Sequence, residues 1–153
     1  MNRTWNFVIR VYGLVINNKN EVLISDEFEL NTKMTKFPGG GLEYGEGLIE
    51  GLQREFREEC NMQEITNIRH FYTTDFFQSA LFYDNAQLIS VYYLVDLEQP
   101  IRFKISVKAF DFEIGSSKTQ SFRWAKINTL KEDDITFPID KFVLRKLKQT
   151  VDA

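Results

Sequence analysis

The apolar residues of this chain fall into short runs that polar turn residues separate, a pattern typical of β-strands. Polar turn residues separate NFVIRVYGLVI from EVLISDEF and so predict a β-hairpin. SALFYDNAQLISVYYLVDL predicts a second hairpin that turns at Asp84 and Asn85. Further strands are predicted at EITNIRHFYTTDFFQ, IRFKISV and QSFRWAKI, and a loop is predicted at ELNTKMTK.

A helical period of apolar residues appears near residue 50. Leu48, Leu52 and Phe56 recur every four residues, with Ile49 beside them. This spacing predicts a helix over about 46–60 that buries one apolar stripe.

The last element is predicted to be an amphipathic helix over about 138–149, with Pro138 in its first turn. Its apolar stripe consists of Phe142, Val143 and Leu147. We therefore expect an α/β fold in which a mixed β-sheet is sandwiched between α-helices. Because the sequence contains no linker, repeat or low-complexity stretch, residues 1–153 are predicted to form a single domain.

The candidate functional residues lie where a glycine-rich turn, FPGGG at 37–41, precedes the first predicted helix. Glu55, Glu58 and Glu59 are spaced to share one helical face. Like charges so placed repel by about 0.2–0.5 kcal/mol per pair, and hard oxygen ligands suit Mg²⁺ or Mn²⁺. The free N–H groups at a helix N-terminus favour anions. The pattern indicates a metal-bridged phosphate site, and its alternative is an ordinary solvated helix face.

The spacing of this segment resembles the signature of the Nudix hydrolase superfamily. That signature is Gly, five residues, Glu, seven residues, Arg-Glu, an aliphatic, any residue, Glu-Glu, any residue, Gly and an aliphatic. The matching residues here are Gly40, Glu46, Arg54, Glu55, Phe56, Glu58, Glu59, Asn61 and Met62. Every fixed polar position is matched. The departures are Phe56 for a smaller aliphatic and Asn61 for glycine, and asparagine tolerates the left-handed conformation that ends helices.

The resemblance implies a Nudix fold over residues 1–153 and a role for each matched residue. It implies that Glu55, Glu58 and Glu59 are catalytic residues that hold Mg²⁺ or Mn²⁺, together with the carbonyl of Gly39. It also places Arg54 among the catalytic residues, and its pairing with Glu46 fixes the loop against the helix. Gly40 and Glu46 support the site, and arginine suits such pairing because its planar fork holds a carboxylate in a bidentate manner.

The resemblance further implies a general base, which several acids could provide. Many family members supply an acid about six residues before a tryptophan, and Trp124 resembles that tryptophan. Lys118 occupies the position six residues before it. Of the upstream acids, Asp111 and Glu113, we favour Glu113 as a distal acid. An ordinary exposed acid at 113 is the alternative, and Glu55 or Glu59 could serve as the base instead.

The reaction implied is hydrolysis of a phosphoanhydride bond by attack of water on phosphorus. Its substrate would be a nucleoside diphosphate linked to another group: a nucleotide sugar, a dinucleotide or a nucleoside triphosphate. The alternative is a Nudix-fold sensor that binds a nucleotide without cleaving it. No subgroup marker in the sequence identifies the substrate.

The composition of the chain limits the kinds of molecule that we expect it to bind. A net charge of −3 gives no basic footprint for nucleic acid or membrane surfaces, which also argues against an RNA 5′-end substrate. The single cysteine, Cys60, suits the reducing cytoplasm. The N-terminus lacks the apolar core of a signal peptide, and no apolar run is long enough to span a membrane. A homodimer is an open alternative to a monomer, with Trp5 as one contact.

Overall fold

A computed structural model describes the backbone of residues 4–151 and the side chains of residues 4–150. The strands are β1 (Asn6–Val15), β2 (Glu21–Glu29), β3 (Thr32–Lys36), β4 (Gly39–Gly41), β5 (Ile65–Thr73), β6 (Ala86–Leu97), β7 (Ile105–Ser106) and β8 (Gln120–Lys126). The helices are α1 (Leu48–Glu59) and α2 (Pro138–Val151), and a 3₁₀ turn spans Glu132–Asp134. Neither α1 nor α2, the α-helices of the described residues, is long and apolar enough to cross a membrane.

The chain groups into two compact units that are each assembled from separate stretches of sequence. The first runs to Gly13 and resumes over Gly39–Ile101. Its sheet has the strand order β4-β1-β6-β5, in which β4 is antiparallel to β1 and β5 is antiparallel to β6. Stacked rings of Tyr12 and Tyr92, with centroids 5.1 Å apart, belong to the buried part of this unit.

The second unit comprises Leu14–Pro38 and the chain from Arg102 onwards. Its sheet has the order β3-β2-β8-β7, with β2 antiparallel to both neighbours and β7 parallel to β8. Helix α2 buries one stripe, in which Ile139, Val143, Leu144 and Leu147 are almost fully inaccessible to water. Of the predicted stripe, Val143 and Leu147 are buried, whereas Phe142 is only partly buried. The predicted α/β class with mixed strands is confirmed, and the strands divide between two sheets.

The predicted hairpins are largely replaced by pairing between distant strands. β1 and β2 lie in different sheets, and only a bridge between Ile16 and Val22 remains of the first hairpin. The second is reduced to a bridge between Ser79 and Gln87, because β6 pairs with β5. The segment ELNTKMTK, predicted as a loop, contains β3.

Candidate active site

Capping interactions of neighbouring residues set both ends of helix α1. Gly47 is its N-cap, and the backbone N–H of Gly47 donates to Glu50 Oε1 at 2.8 Å. This is the carboxylate half of a capping box. After Glu59 the backbone of Asn61 takes a φ of 50°, the left-handed conformation expected for asparagine at this position. The predicted helix is confirmed over Leu48–Glu59, although Ile49 is exposed.

Phe56, one of the two departures from the family pattern, is accommodated by a glycine on β1. A Cβ atom at Gly13 would lie 2.7 Å from Phe56 Cε2 and 2.9 Å from Cζ. The Phe56 ring is buried and therefore occupies the space that a side chain at position 13 would need. Thus the larger aromatic residue anchors α1 against β1 without overpacking.

The glycine turn brings backbone and carboxylate into direct contact. Gly39 has a φ of +150°, and a Cβ there would lie 2.0 Å from the carbonyl oxygen of Val11, so only glycine is accommodated. A Cβ on Gly40 would lie 2.5 Å from Glu55 Cδ and 2.6 Å from each carboxylate oxygen. The Glu55 carboxylate therefore rests against the backbone of Gly40, and α1 is held close to β4.

Arg54 ties the loop to the helix. Its Nε donates to Glu46 Oε2 at 2.9 Å and its Nη2 donates to Glu46 Oε1 at 2.7 Å. Nη2 also donates to the carbonyl oxygen of Gly41 at 2.9 Å. The hydrogen bond from Arg54, aided by the backbone N–H of Glu43, lowers the pKa of Glu46 to about 2. The same pairing raises the pKa of Arg54, so both groups are charged across the ordinary pH range.

The third guanidinium nitrogen of Arg54 contacts two of the predicted metal ligands. Nη1 donates to Glu55 Oε1 and to Glu58 Oε2, both at 3.0 Å. No three acidic, histidine or cysteine side chains within residues 4–151 are already arranged around a metal position. Still, Glu55, Glu58 and Glu59 offer the hard oxygen donors that suit Mg²⁺ or Mn²⁺. The carboxylates of these residues therefore suit such a cation. The Glu58 side chain is exposed and has room to rotate away from Arg54 Nη1.

Glu113, the predicted distal acid, lies in an exposed turn of the second unit. Its carbonyl oxygen accepts hydrogen bonds from the backbone N–H and the hydroxyl of Ser116. Lys118 is exposed nearby in sequence, and Trp124 lies within β8 as expected. Asp111, the other upstream acid, is engaged with Lys104 and Lys108 at 3.2 and 3.6 Å. The role of Glu113 stays a prediction.

Sequence reasoning missed a group of buried charges on the sheet of the second unit. Asp26 is fully buried and accepts hydrogen bonds from Arg123 Nε at 2.7 Å and Thr35 Oγ1 at 2.8 Å. On the opposite face of β2, buried Glu27 pairs with Lys36 at 3.3 Å. The available signal was a pair of adjacent acids in the middle of a strand, EVLISDEFE, where apolar residues are the rule.

Similarity to solved structures is consistent with this architecture. A structure from work on MutT of Aliivibrio salmonicida and Vibrio cholerae is 23% identical with a TM-score of 0.61, covering 95% of this chain and 99% of that one. A NUDIX hydrolase from Nitrosomonas europaea is 14% identical with a TM-score of 0.67, covering 94% of this chain and 88% of that one. A MutT protein from Methanosarcina mazei Go1 is 18% identical with a TM-score of 0.62, covering 99% of this chain and 100% of that one. At these identities the likeness shows the fold.

A comparison with curated proteins gives no match. The family comparison does: the model described as NUDIX domain matches residues 6–145, which is most of the chain. Members of this family are generally pyrophosphohydrolases that bind small nucleotide substrates and use divalent metals such as Mg²⁺. The chain belongs to the Nudix hydrolase family.

Proposed function

We propose that this protein is a Mg²⁺- or Mn²⁺-dependent pyrophosphohydrolase. Its substrate is a nucleoside diphosphate linked to another group, such as a nucleotide sugar, a dinucleotide or a nucleoside triphosphate. Residues 1–153 act as a single Nudix hydrolase domain. We place it in the cytoplasm, because its single cysteine suits a reducing compartment. A non-catalytic Nudix-fold sensor is the second candidate, since Arg54 already satisfies oxygens of Glu55 and Glu58.

The observation that carries the proposal is the position of Glu55. Its carboxylate rests on the backbone of Gly40, while Arg54 holds Glu46 on the loop and Glu55 on the helix. Glu58 and Glu59 follow within one helical turn. A solvated acidic face would need neither a glycine contact nor a partly buried arginine that joins loop and helix.

The chain's own residues provide the framework for the reaction. The Arg54–Glu46 pair fixes the loop that precedes α1, and this keeps Glu55 at a fixed position relative to the glycine turn. Glu55, Glu58, Glu59 and the carbonyl of Gly39 would hold the divalent cation. When bound, the cation neutralises phosphate charge and lowers the pKa of the attacking water. Glu55 or Glu59 accepts the proton of that water, or Glu113 does so as a distal acid.

The test is hydrolysis of a substrate panel by the wild type and by Glu59→Gln. Nucleotide sugars, dinucleotides and nucleoside triphosphates are incubated with Mg²⁺ or Mn²⁺, and products are separated by chromatography. The matched control is Glu50→Gln, which changes a glutamate of the same helix outside the cluster. Glutamine can still accept the hydrogen bond from Gly47, so the cap of α1 is kept.

The proposal predicts metal-dependent turnover of at least one compound by the wild type and by Glu50→Gln. Glu59→Gln is expected to lose activity by at least about a hundredfold, as when a group acting in the transition state is removed. Full turnover in Glu59→Gln would remove that residue from the metal site. Binding of a panel compound without turnover would instead establish the sensor.

A further inference from the structure

A polar cleft of about 450 Å³ lies within the second unit. It is lined by residues of β3, β8 and the 3₁₀ turn and of the segments beside them. Pockets for small ligands typically measure about 300–1,000 Å³, so the cleft is large enough for one. All of its lining residues belong to the second unit, whereas Glu55, Glu58 and Glu59 belong to the first. The cleft is therefore built from residues other than those of the candidate active site.

Arg123 lines this cleft and is held in place by the buried Asp26. Its Nε donates to Asp26 Oδ2 at 2.7 Å, and its Nη2 donates to Oδ1 at 3.3 Å. The same carboxylate accepts hydrogen bonds from Thr35 Oγ1 at 2.8 Å and from the backbone N–H of Phe110 at 3.2 Å. Because Asp26 is fixed by these further donors, it holds the guanidinium of Arg123 in one orientation.

Stability alone does not account for this pair. Burial of charges is costly, and a well-packed apolar pair of similar volume is often as stable as a buried ion pair. The Asp26 side chain is fully buried, while the Arg123 side chain is 22% exposed. Nη1 of Arg123 forms no hydrogen bond to any residue that the structure describes. Its two N–H groups are thus oriented by Asp26 and available to a ligand.

The remaining lining residues indicate the chemistry of that ligand. Lys126 supplies a second cation, and its ammonium forms no ion pair in the described part of the chain. Asp134 also lines the cleft and accepts a hydrogen bond from the backbone N–H of Lys131 at 2.8 Å. Two cationic donors match the two oxygens of one carboxylate, whereas Asp134 would repel a doubly charged phosphate. Phe110 and Leu130 provide apolar surface for a carbon chain.

We propose that this cleft binds a small organic carboxylate. Arg123 Nη1 and the Lys126 ammonium donate hydrogen bonds to its oxygens. Asp26 is a positioning residue, since it orients Arg123 without contacting the ligand. The inference is independent of the proposed hydrolase activity, because no step of that reaction uses these residues.

The test is an NMR titration of the ¹⁵N-labelled full chain with butyrate. Butyramide, which has the same carbon chain without the charge, is the matched ligand control, and inorganic phosphate is the competing anion. The variants are Lys126→Gln and Asp134→Asn, both at exposed positions, and asparagine can still accept the hydrogen bond from Lys131. The matched control is Lys118→Gln, which changes an exposed lysine of the second unit outside the lining.

We expect saturable shifts of the lining residues with butyrate and none with butyramide. Lys126→Gln should raise the dissociation constant about two- to fivefold, Asp134→Asn should lower it by a similar factor, and Lys118→Gln should leave it unchanged. The proposal is overturned if butyrate causes no saturable shift, if butyramide binds equally well, or if phosphate binds the cleft more tightly. It is also overturned if Lys126→Gln binds butyrate as tightly as Lys118→Gln.

Arg123→Lys tests the principal donor. Lysine keeps a cation beside Asp26 but lacks the planar fork that serves Asp26 and a ligand at once, so butyrate should bind about tenfold more weakly or worse. The matched control is Arg145→Lys, at an exposed arginine that pairs with Glu132. Circular dichroism melting establishes that each variant is folded. Unchanged affinity in folded Arg123→Lys overturns the proposal, and if this variant does not fold, the opposite effects expected of Lys126→Gln and Asp134→Asn decide it.

Discussion

Substitution of Gly40 by alanine should displace Glu55 while leaving the fold intact. The added Cβ would lie 2.5 Å from Glu55 Cδ. Non-bonded carbon atoms prefer about 3.5–4.0 Å, so the carboxylate must move by about 1 Å or more. This carboxylate is the end of a flexible side chain, and it can move without shifting the backbone.

The expected effect on activity follows from that displacement. A misplacement of about 1 Å can cost roughly a hundredfold in rate, which corresponds to about 2.7 kcal/mol of transition-state stabilisation. The stability of Gly40→Ala should stay within about 1 kcal/mol of the wild type, because alanine also restricts the unfolded chain. A large loss of kcat/KM should thus accompany a small change in the free energy of unfolding.

The neighbouring substitution, Gly39→Ala, supplies the contrast. There the new Cβ would meet the backbone carbonyl of Val11 at 2.0 Å, at a φ of +150°. Strain and overpacking together should cost about 2–6 kcal/mol of stability. The assays are steady-state hydrolysis of the substrate found with the panel and urea unfolding of each variant. Full activity in Gly40→Ala, or equal stability of the two variants, would refute the reasoning.

Three further predictions concern pH, buried charge and packing. The pKa of Glu46 is lowered from 4.5 to about 2, so its ionisation stabilises the folded state above pH 4.5. That contribution is lost as the pH falls from 4.5 towards 2. Urea unfolding over this pH range should show a smaller decrease in the free energy of unfolding for Glu46→Gln than for the wild type. Asp26→Asn leaves the Arg123 guanidinium without its carboxylate and should cost about 3 kcal/mol, whereas exposed Asp133→Asn should change stability by less than about 0.5 kcal/mol in the same assay. Gly13→Ala and Phe56→Leu should each destabilise the protein. Their double mutant should be about 0.5–3 kcal/mol more stable than the sum of the two single changes in the free energy of unfolding predicts, because the smaller leucine leaves room for the new methyl group. Additive changes would contradict the packing of Phe56 against Gly13.

Local signals in the sequence were sufficient for the helices. The period of Leu48, Leu52 and Phe56 and the glycines around Glu46 placed α1 within two residues of its observed start. These signals are contained in one helix and its cap, where neighbours in sequence are neighbours in space. The same locality made Glu55, Glu58 and Glu59 recognisable as a set on one face.

Strand pairing was not predictable in the same way. β1 and β2 are adjacent in sequence yet join different sheets, because their partners lie elsewhere in the chain. β3 was missed since its turn uses Leu30 and Asn31 at φ values of 51° and 56°. Two consecutive turn residues with positive φ are usually Asn-Gly or Asp-Gly, so the Leu-Asn sequence at this turn does not indicate a hairpin. The pair of Asp26 and Arg123 was missed for a related reason, as it joins residues 97 positions apart.

The most direct test of the central claim is binding of Mn²⁺ to the acidic face of α1. Electron paramagnetic resonance measures free Mn²⁺ during titration of the wild type, Glu59→Gln and Glu50→Gln, and requires no substrate. The account predicts that the wild type and Glu50→Gln bind with equal affinity and that Glu59→Gln binds at least about tenfold more weakly, as expected when a ligand is removed. Equal affinity in all three proteins would contradict the assignment of Glu55, Glu58 and Glu59 as the metal site.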